Sequence, residues 1–203
     1  MKSKTIYILR HGQTNYNKKG MVQGRGINAS LNEKGVEQAR LAGRALHHIN
    51  FDHVFISELV RTKETVDQII SDSTPLTSLA GFDEISWGNQ EGKVASYEAK
   101  NQYAATVNGW RKGELNLNVG GGETPIEVME RQKEAMEIVL QTEAETVLIC
   151  MHGRAMRVLL CWLLNYPLKY MDGFPHDNCS YYSLDFHEDT FYLKNFNKSD
   201  HLN

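Results

Sequence analysis

The chain is poor in proline and cysteine, with four and three residues among 203. So few prolines rule out a proline-rich linker or polyproline ligand and leave room for long regular elements. Cys150, Cys161 and Cys179 form an odd set without paired spacing. That excludes a disulfide framework and points to reduced thiols, hence to a cytoplasmic location. No apolar stretch approaches the roughly 20 residues of a membrane span, and the short run before Arg10 is too brief for a secretory leader. A surplus of positive charge is missing as well. With 22 Lys and Arg against 25 Asp and Glu, the formal net charge is -3. No global basic field exists to hold nucleic acid or an anionic membrane, so any anion must be bound locally. No Cys/His or His-x-x-x-His spacing suggests a metal cage. No metal or other cofactor is therefore expected, and His47, His48, His53, His176, His187 and His201 read as surface or helix-end residues.

What is present reads as one globular domain over residues 1–203, with 41% hydrophobic and 23% charged residues. Three near-continuous apolar runs, Thr5–Leu9, His53–Ile56 and Thr146–Met151, predict strands covered on both faces. Helical patterns lie between and after them. Leu31–His48 has Asn32 as its cap, and Ser57 opens a helix carrying Leu59, Val60, Val66, Ile69 and Ile70 before Thr74 and Pro75 end it. Two more follow, Glu123–Glu143 and the almost wholly apolar Arg154–Leu164. This order predicts an α/β fold, a mainly parallel central sheet with helices on both faces. The segments 180–186 and 191–196 predict a C-terminal edge hairpin around "HEDT". Residues from about 81 to 122 break the pattern and read as a small inserted lobe. Its helix runs from about Lys93 to Lys112, with Val94, Tyr97, Ala104, Val107 and Trp110 as its apolar face. Tyr97, Tyr103 and Trp110 read as the packing core of that lobe, with room for one of them to face a pocket.

Ligands of open α/β sheets bind beyond the carboxyl ends of the strands. The first predicted strand delivers Arg10 and His11 there, the second leads through Ser57 to Arg61, and the third ends at His152 and Gly153. Alone, "RHG" is far more often a solvated turn than a reactive group. Two arginines and two imidazoles at one rim, however, make a pocket for a doubly charged tetrahedral oxyanion, because guanidinium forks match phosphate oxygens. Helix N-termini after Gly153 and near Ser57 add backbone donors, and Gly12 and Gly153 let the backbone approach closely.

The ordered segments "LRHGQTNYN" (9–17), Gln23-Gly24, "SELVRTKET" (57–65), "EISWGNQEG" (84–92), "GGET" (121–124) and "MHG" (151–153) resemble the histidine phosphatase superfamily, the phosphoglycerate mutase-like group. The resemblance implies that His11 is the nucleophile taking the phosphoryl group and that Arg10, Arg61 and His152 hold its oxygens. Glu84 would protonate the leaving alcohol, with Glu91 the alternative acid, and Gly12, Asn17, Gln23, Gly24 and Gly153 would line the phosphate pocket. The implied activity is metal-independent hydrolysis of a small phosphorylated metabolite through phosphohistidine. Phosphoglycerate mutase is the alternative, and a phospholigand-binding relative without turnover a further one. The mutases carry a longer lobe with paired arginines and a proline run, whereas this chain has Arg111 and Lys112 after Trp110 and no such prolines. Gln13, and "ASLN" at 29–32, depart from the family's usual Glu and "PLT" without touching the phosphate-handling set. The substrate and the oligomeric state are not readable at this level.

Overall fold

In the computed structural model, which describes residues 3–94 and 96–202, strand and helix alternate as the apolar runs predict. The strands are β1 (Lys4–Arg10), β2 (His53–Ile56), β3 (Leu76–Ser78), β4 (Thr146–Met151), β5 (Tyr181–His187) and β6 (Thr190–Lys198). They form one sheet in the order β3-β2-β4-β1-β5-β6. β3, β2, β4 and β1 run parallel, while β5 and β6 are antiparallel at the far edge. Glu188 and Asp189 join the hairpin with φ of 49° and 56°, the positive values that a two-residue turn matched to strand twist requires.

The two faces of the sheet take alternate residues of each central strand. Ile6, Ile8, Phe55, Val147, Ile149 and Met151 enter one apolar cluster. Leu9, Val54, Ile56, Leu148 and Cys150 enter another on the opposite side. Each strand therefore reads as a continuous apolar run, because both of its faces are covered.

The helices are α1 (Asn15–Lys18), α2 (Glu33–Leu46), α3 (Val60–Val66), α4 (Tyr97–Lys112), α5 (Pro125–Gln141) and α6 (Gly153–Leu163). α2 starts as the sequence predicts, with Asn32 Oδ1 accepting from Gly35 N at 2.9 Å. α5 opens on a Thr124–Glu127 capping box with Pro125 in its first turn.

Four local expectations are corrected. Ser57 does not cap α3; Leu59 precedes that helix and makes no side-chain cap bond, because the Ser57 hydroxyl is engaged elsewhere. α3 also stops at Val66, short of Ile70. β3 is absent from the sequence reading because it is a three-residue edge strand with no apolar run to mark it. Finally, the predicted apolar face of α4 is only half buried. Val107 and Trp110 are in the core, while Val94 and Tyr97 are 70% and 76% exposed and Ala104 also faces solvent. The reason is that α4 begins only at Ser96–Tyr97 and meets the body of the protein through its C-terminal turns. Ala95, within the predicted helix, lies outside the described residues. Trp87, Val107, Trp110 and Val119 join the same apolar cluster as β1 and β4, so the inserted segment shares the core of the sheet.

Candidate active site

Parallel pairing of β2, β4 and β1 places their carboxyl ends side by side, which brings residues distant in sequence to one crevice. His11 follows β1, Ser57 follows β2, and His152 follows β4. The His11 and His152 rings lie 5.0 Å apart between centroids, and Arg61 reaches the same place from the first turn of α3.

His11 is 3% exposed, and its Nδ1 lies 2.6 Å from Gly12 O. A carbonyl oxygen only accepts, so Nδ1 carries the proton and Nε2 holds the free lone pair. Burial, and then the Arg61 and Arg10 guanidiniums, push the His11 pKa well below 6.5, which keeps the ring neutral at physiological pH. Asn178 Nδ2 donates to His11 O at 2.9 Å and steadies the same turn.

His152 is fully buried and fixed in the opposite tautomer. Arg61 Nε donates to its Nδ1 at 3.1 Å, so Nε2 bears the proton and donates to Ser57 Oγ at 2.8 Å. Burial, followed by Arg61, depresses this pKa too. Arg61, also fully buried, donates through its terminal nitrogens to Ile27 O at 2.6 Å and Gly24 O at 3.4 Å. The Gln23 amide, turned with its oxygen toward Arg61, accepts from Nη1 at 3.1 Å and donates to Thr14 Oγ1. Burial lowers the Arg61 pKa to about 10, with Glu84 and Asp83 opposing, so it remains a cation at neutral pH. Arg10 has a buried Nε without a partner among the described residues, a donor that a ligand oxygen would satisfy.

Glu84 is 8% exposed and sits across the start of α6. Its Oε1 accepts from Ala155 N at 2.8 Å and Ile85 N at 3.0 Å, and its Oε2 from Arg154 N at 3.1 Å. Glu91 holds Gly26 N at 2.7 Å and Trp87 N at 2.8 Å, tying two loops together, and lies near enough to Arg61 to favour its charge. Arg10, His11, Arg61, His152 and Glu84 thus come together, with Glu91 behind Gly24 on the Arg61 side.

The remaining candidates are supports around that set. Asn17 Oδ1 accepts from Thr14 N at 3.1 Å in the cap of α1. Gly12 N donates to Thr65 Oγ1 at 3.0 Å, and a Cβ at Gly12 would lie 2.5 Å from Gly35 O, so only glycine lets α2 approach. Gly24 carries the carbonyl that Arg61 reaches. A Cβ at Gly153 would strike the His176 ring at 2.6 Å.

That last contact corrects a sequence expectation. His176 is half-buried: its ring packs against Gly153, its Nδ1 is buried without a partner among the described residues, and burial followed by Arg10 lowers its pKa to about 3. Sequence reasoning also missed Asn178 and the true role of Ser57. Only Ser57 carried a signal, its place directly after an apolar strand. Among the described residues no group of three or more His, Cys, Asp or Glu is placed to hold a metal ion, and no helix is long and apolar enough to cross a membrane.

A buried neutral imidazole thus lies beside two guanidiniums beyond the carboxyl edge of a parallel sheet on an α/β scaffold. A family profile for the histidine phosphatase superfamily, branch 1, matches residues 6–199, and the chain belongs to that family. It is 28% identical over 91% of its length to a wheat (Triticum aestivum) 2-carboxy-D-arabinitol-1-phosphatase, of which it spans 37%. It is 29% identical over 89% of its length to a probable phosphoglycerate mutase GpmB of Erwinia tasmaniensis, of which it spans 84%. Bacillus stearothermophilus YhfR has the same fold, with a TM-score of 0.88 and 27% identity over 98% of this chain and all of that one.

Proposed function

We propose that this protein is a phosphoric monoester hydrolase that works through a phosphohistidine at His11. The observation that carries the reading is the tautomer of His11: its Nδ1 proton is spent on Gly12 O, which leaves the Nε2 lone pair unprotonated on a ring under the influence of Arg61 and Arg10. In the first step Nε2 attacks phosphorus, the ester P–O bond breaks, and Glu84 gives its proton to the departing oxygen. In the second, water gives a proton back to Glu84 while its oxygen attacks the phosphohistidine. The P–N bond breaks, and inorganic phosphate leaves a neutral His11. Arg10 and Arg61 align the transferring group and offset its charge, which is most of what phosphoryl transfer asks of a protein, with the neutral His152 packed between Arg61 and Ser57 as a support.

Names of relatives divide between phosphatases and a probable mutase. Hydrolysis is favoured because the inserted segment has Arg111 engaged by Asp172 at 2.9 Å, away from the role of a paired carboxylate clamp. Three free, buried cysteines support a reducing, cytoplasmic setting. Brief exposure to 32P-labelled phosphomonoester is expected to leave acid-labile label on the wild type and none on His11→Ala, with turnover persisting in chelator. Turnover without label, together with dependence on added divalent metal, would remove this reading.

A further inference from the structure

Under the N-terminal half of α4 lies a cavity of about 260 Å3 walled mainly by Val22, Trp87, Ala99, Tyr103 and Val119, with Gln90 and Lys100 as further polar side chains. Its walls are tied to the groups around His11. Val22 precedes Gln23, whose amide meets Arg61. Trp87 lies three residues beyond Glu84, and its N–H is held by Glu91. The Tyr103 hydroxyl accepts from Arg154 at 3.0 Å, and the backbone N–H of Arg154 holds Glu84 at 3.1 Å. Through Arg154, the Tyr103 wall of the cavity is thus one residue removed from Glu84. On the reading above, a phosphoryl group gripped by the arginines turns its ester oxygen to Glu84, so the rest of the alcohol must extend that way.

We propose that this cavity is the leaving-group subsite and that the substrate is a phosphomonoester whose alcohol bears a flat apolar ring. The inference rests on the phosphatase reading and adds the substrate class to it. Trp87 and Tyr103 stand 5.4 Å apart between centroids at 55°, two walls of a corner that an aromatic ring can pack against edge or face. Val22, Ala99 and Val119 supply aliphatic surface. A polyhydroxylated group placed there would find mainly Gln90 and Lys100 to replace the many hydrogen bonds to water it gives up. The size suits one ring or two, since apolar cavities of roughly 150 Å3 already hold benzene.

Benzyl phosphate and ethyl phosphate release alcohols of similar acidity, so their comparison reads the ring and not the chemistry. The kcat/KM ratio of benzyl over ethyl is expected to be at least about tenfold, and Ala99→Trp, which fills the cavity, is expected to bring it near one. A ratio near one in the unmodified protein, or a high ratio that survives Ala99→Trp, overturns the proposal. Calorimetric titration of benzylphosphonate against ethylphosphonate reads the cavity without turnover. Tighter binding of the benzyl compound supports the proposal, and equal binding overturns it. If neither ester is hydrolysed the phosphatase reading fails, and the phosphonate comparison still decides the subsite.

Discussion

At His11, residue type leaves the reactive atom undecided; one contact with a neighbouring carbonyl decides it. Gly12 O takes the Nδ1 proton, and burial among guanidiniums keeps the ring from gaining a second one. The sign of the pH effect follows. An imidazole that must be neutral to attack works above its pKa, and here that pKa is held well below 6.5. The acid limb of kcat/KM for p-nitrophenyl phosphate is therefore expected below pH 6.5, with activity nearly flat from 7.5 to 6.5. A limb centred at 6.5 or higher would show that the ring is not shielded as its contacts require. His176 illustrates the opposite outcome at this scale. Its neighbours in sequence mark it as ordinary, and only its position over Gly153 gives it a lowered pKa and a place beside Arg10.

Elements matter through their ends. α6 begins directly after His152, and its first backbone N–H groups, those of Arg154 and Ala155, hold the Glu84 carboxylate. The start of one helix thus positions both an imidazole and the proposed acid, drawn from segments about seventy residues apart. Glu84→Gln keeps the side-chain shape but removes the transferable proton. It is expected to slow hydrolysis of an alkyl ester by about 10²–10⁴-fold and of p-nitrophenyl phosphate far less, because p-nitrophenolate leaves without protonation. Equal slowing of both, measured as kcat/KM, would assign the proton to another group. α2 contributes differently: Gly12 and Gly35 let its N-terminal turn press against the loop after β1, a close approach that fixes where His11 begins.

For the whole molecule, the inserted segment is bound to the sheet by packing and by charge. Trp110 is 1% exposed within the cluster that includes Ile6 and Val147, and its Nε1 donates to Leu117 O at 2.8 Å. Asp172 gathers Arg111 from α4 at 2.9 Å with Arg154 and Arg157 from α6 at 2.7 and 2.6 Å. A shared core predicts shared unfolding. Trp110→Ala is expected to cost about 3–5 kcal/mol, and urea unfolding followed by tryptophan fluorescence and by far-UV circular dichroism should give coincident transitions in the parent protein. An early fluorescence transition, separate from loss of secondary structure, would mean that the segment melts by itself.

Three buried strands, the capped start of α2, the amphipathic pattern of α5 and the C-terminal hairpin were legible from residue order, because apolar periodicity and capping chemistry act over a few neighbouring residues. Arg10, His11, Arg61 and His152 could be located by the same route, each standing at or just beyond the end of a predicted strand. Tertiary structure alone decided the rest. β3 is too short and too exposed to leave an apolar trace. Ser57 looked like a cap until the His152 Nε2–H claimed its hydroxyl. Glu84 separated from Glu91 only when α6 brought its backbone donors to one of the two carboxylates. Local sequence governs which backbone shape each segment prefers; which nitrogen is free, which carboxylate is near and which histidine is buried are set by contacts between residues far apart in the chain.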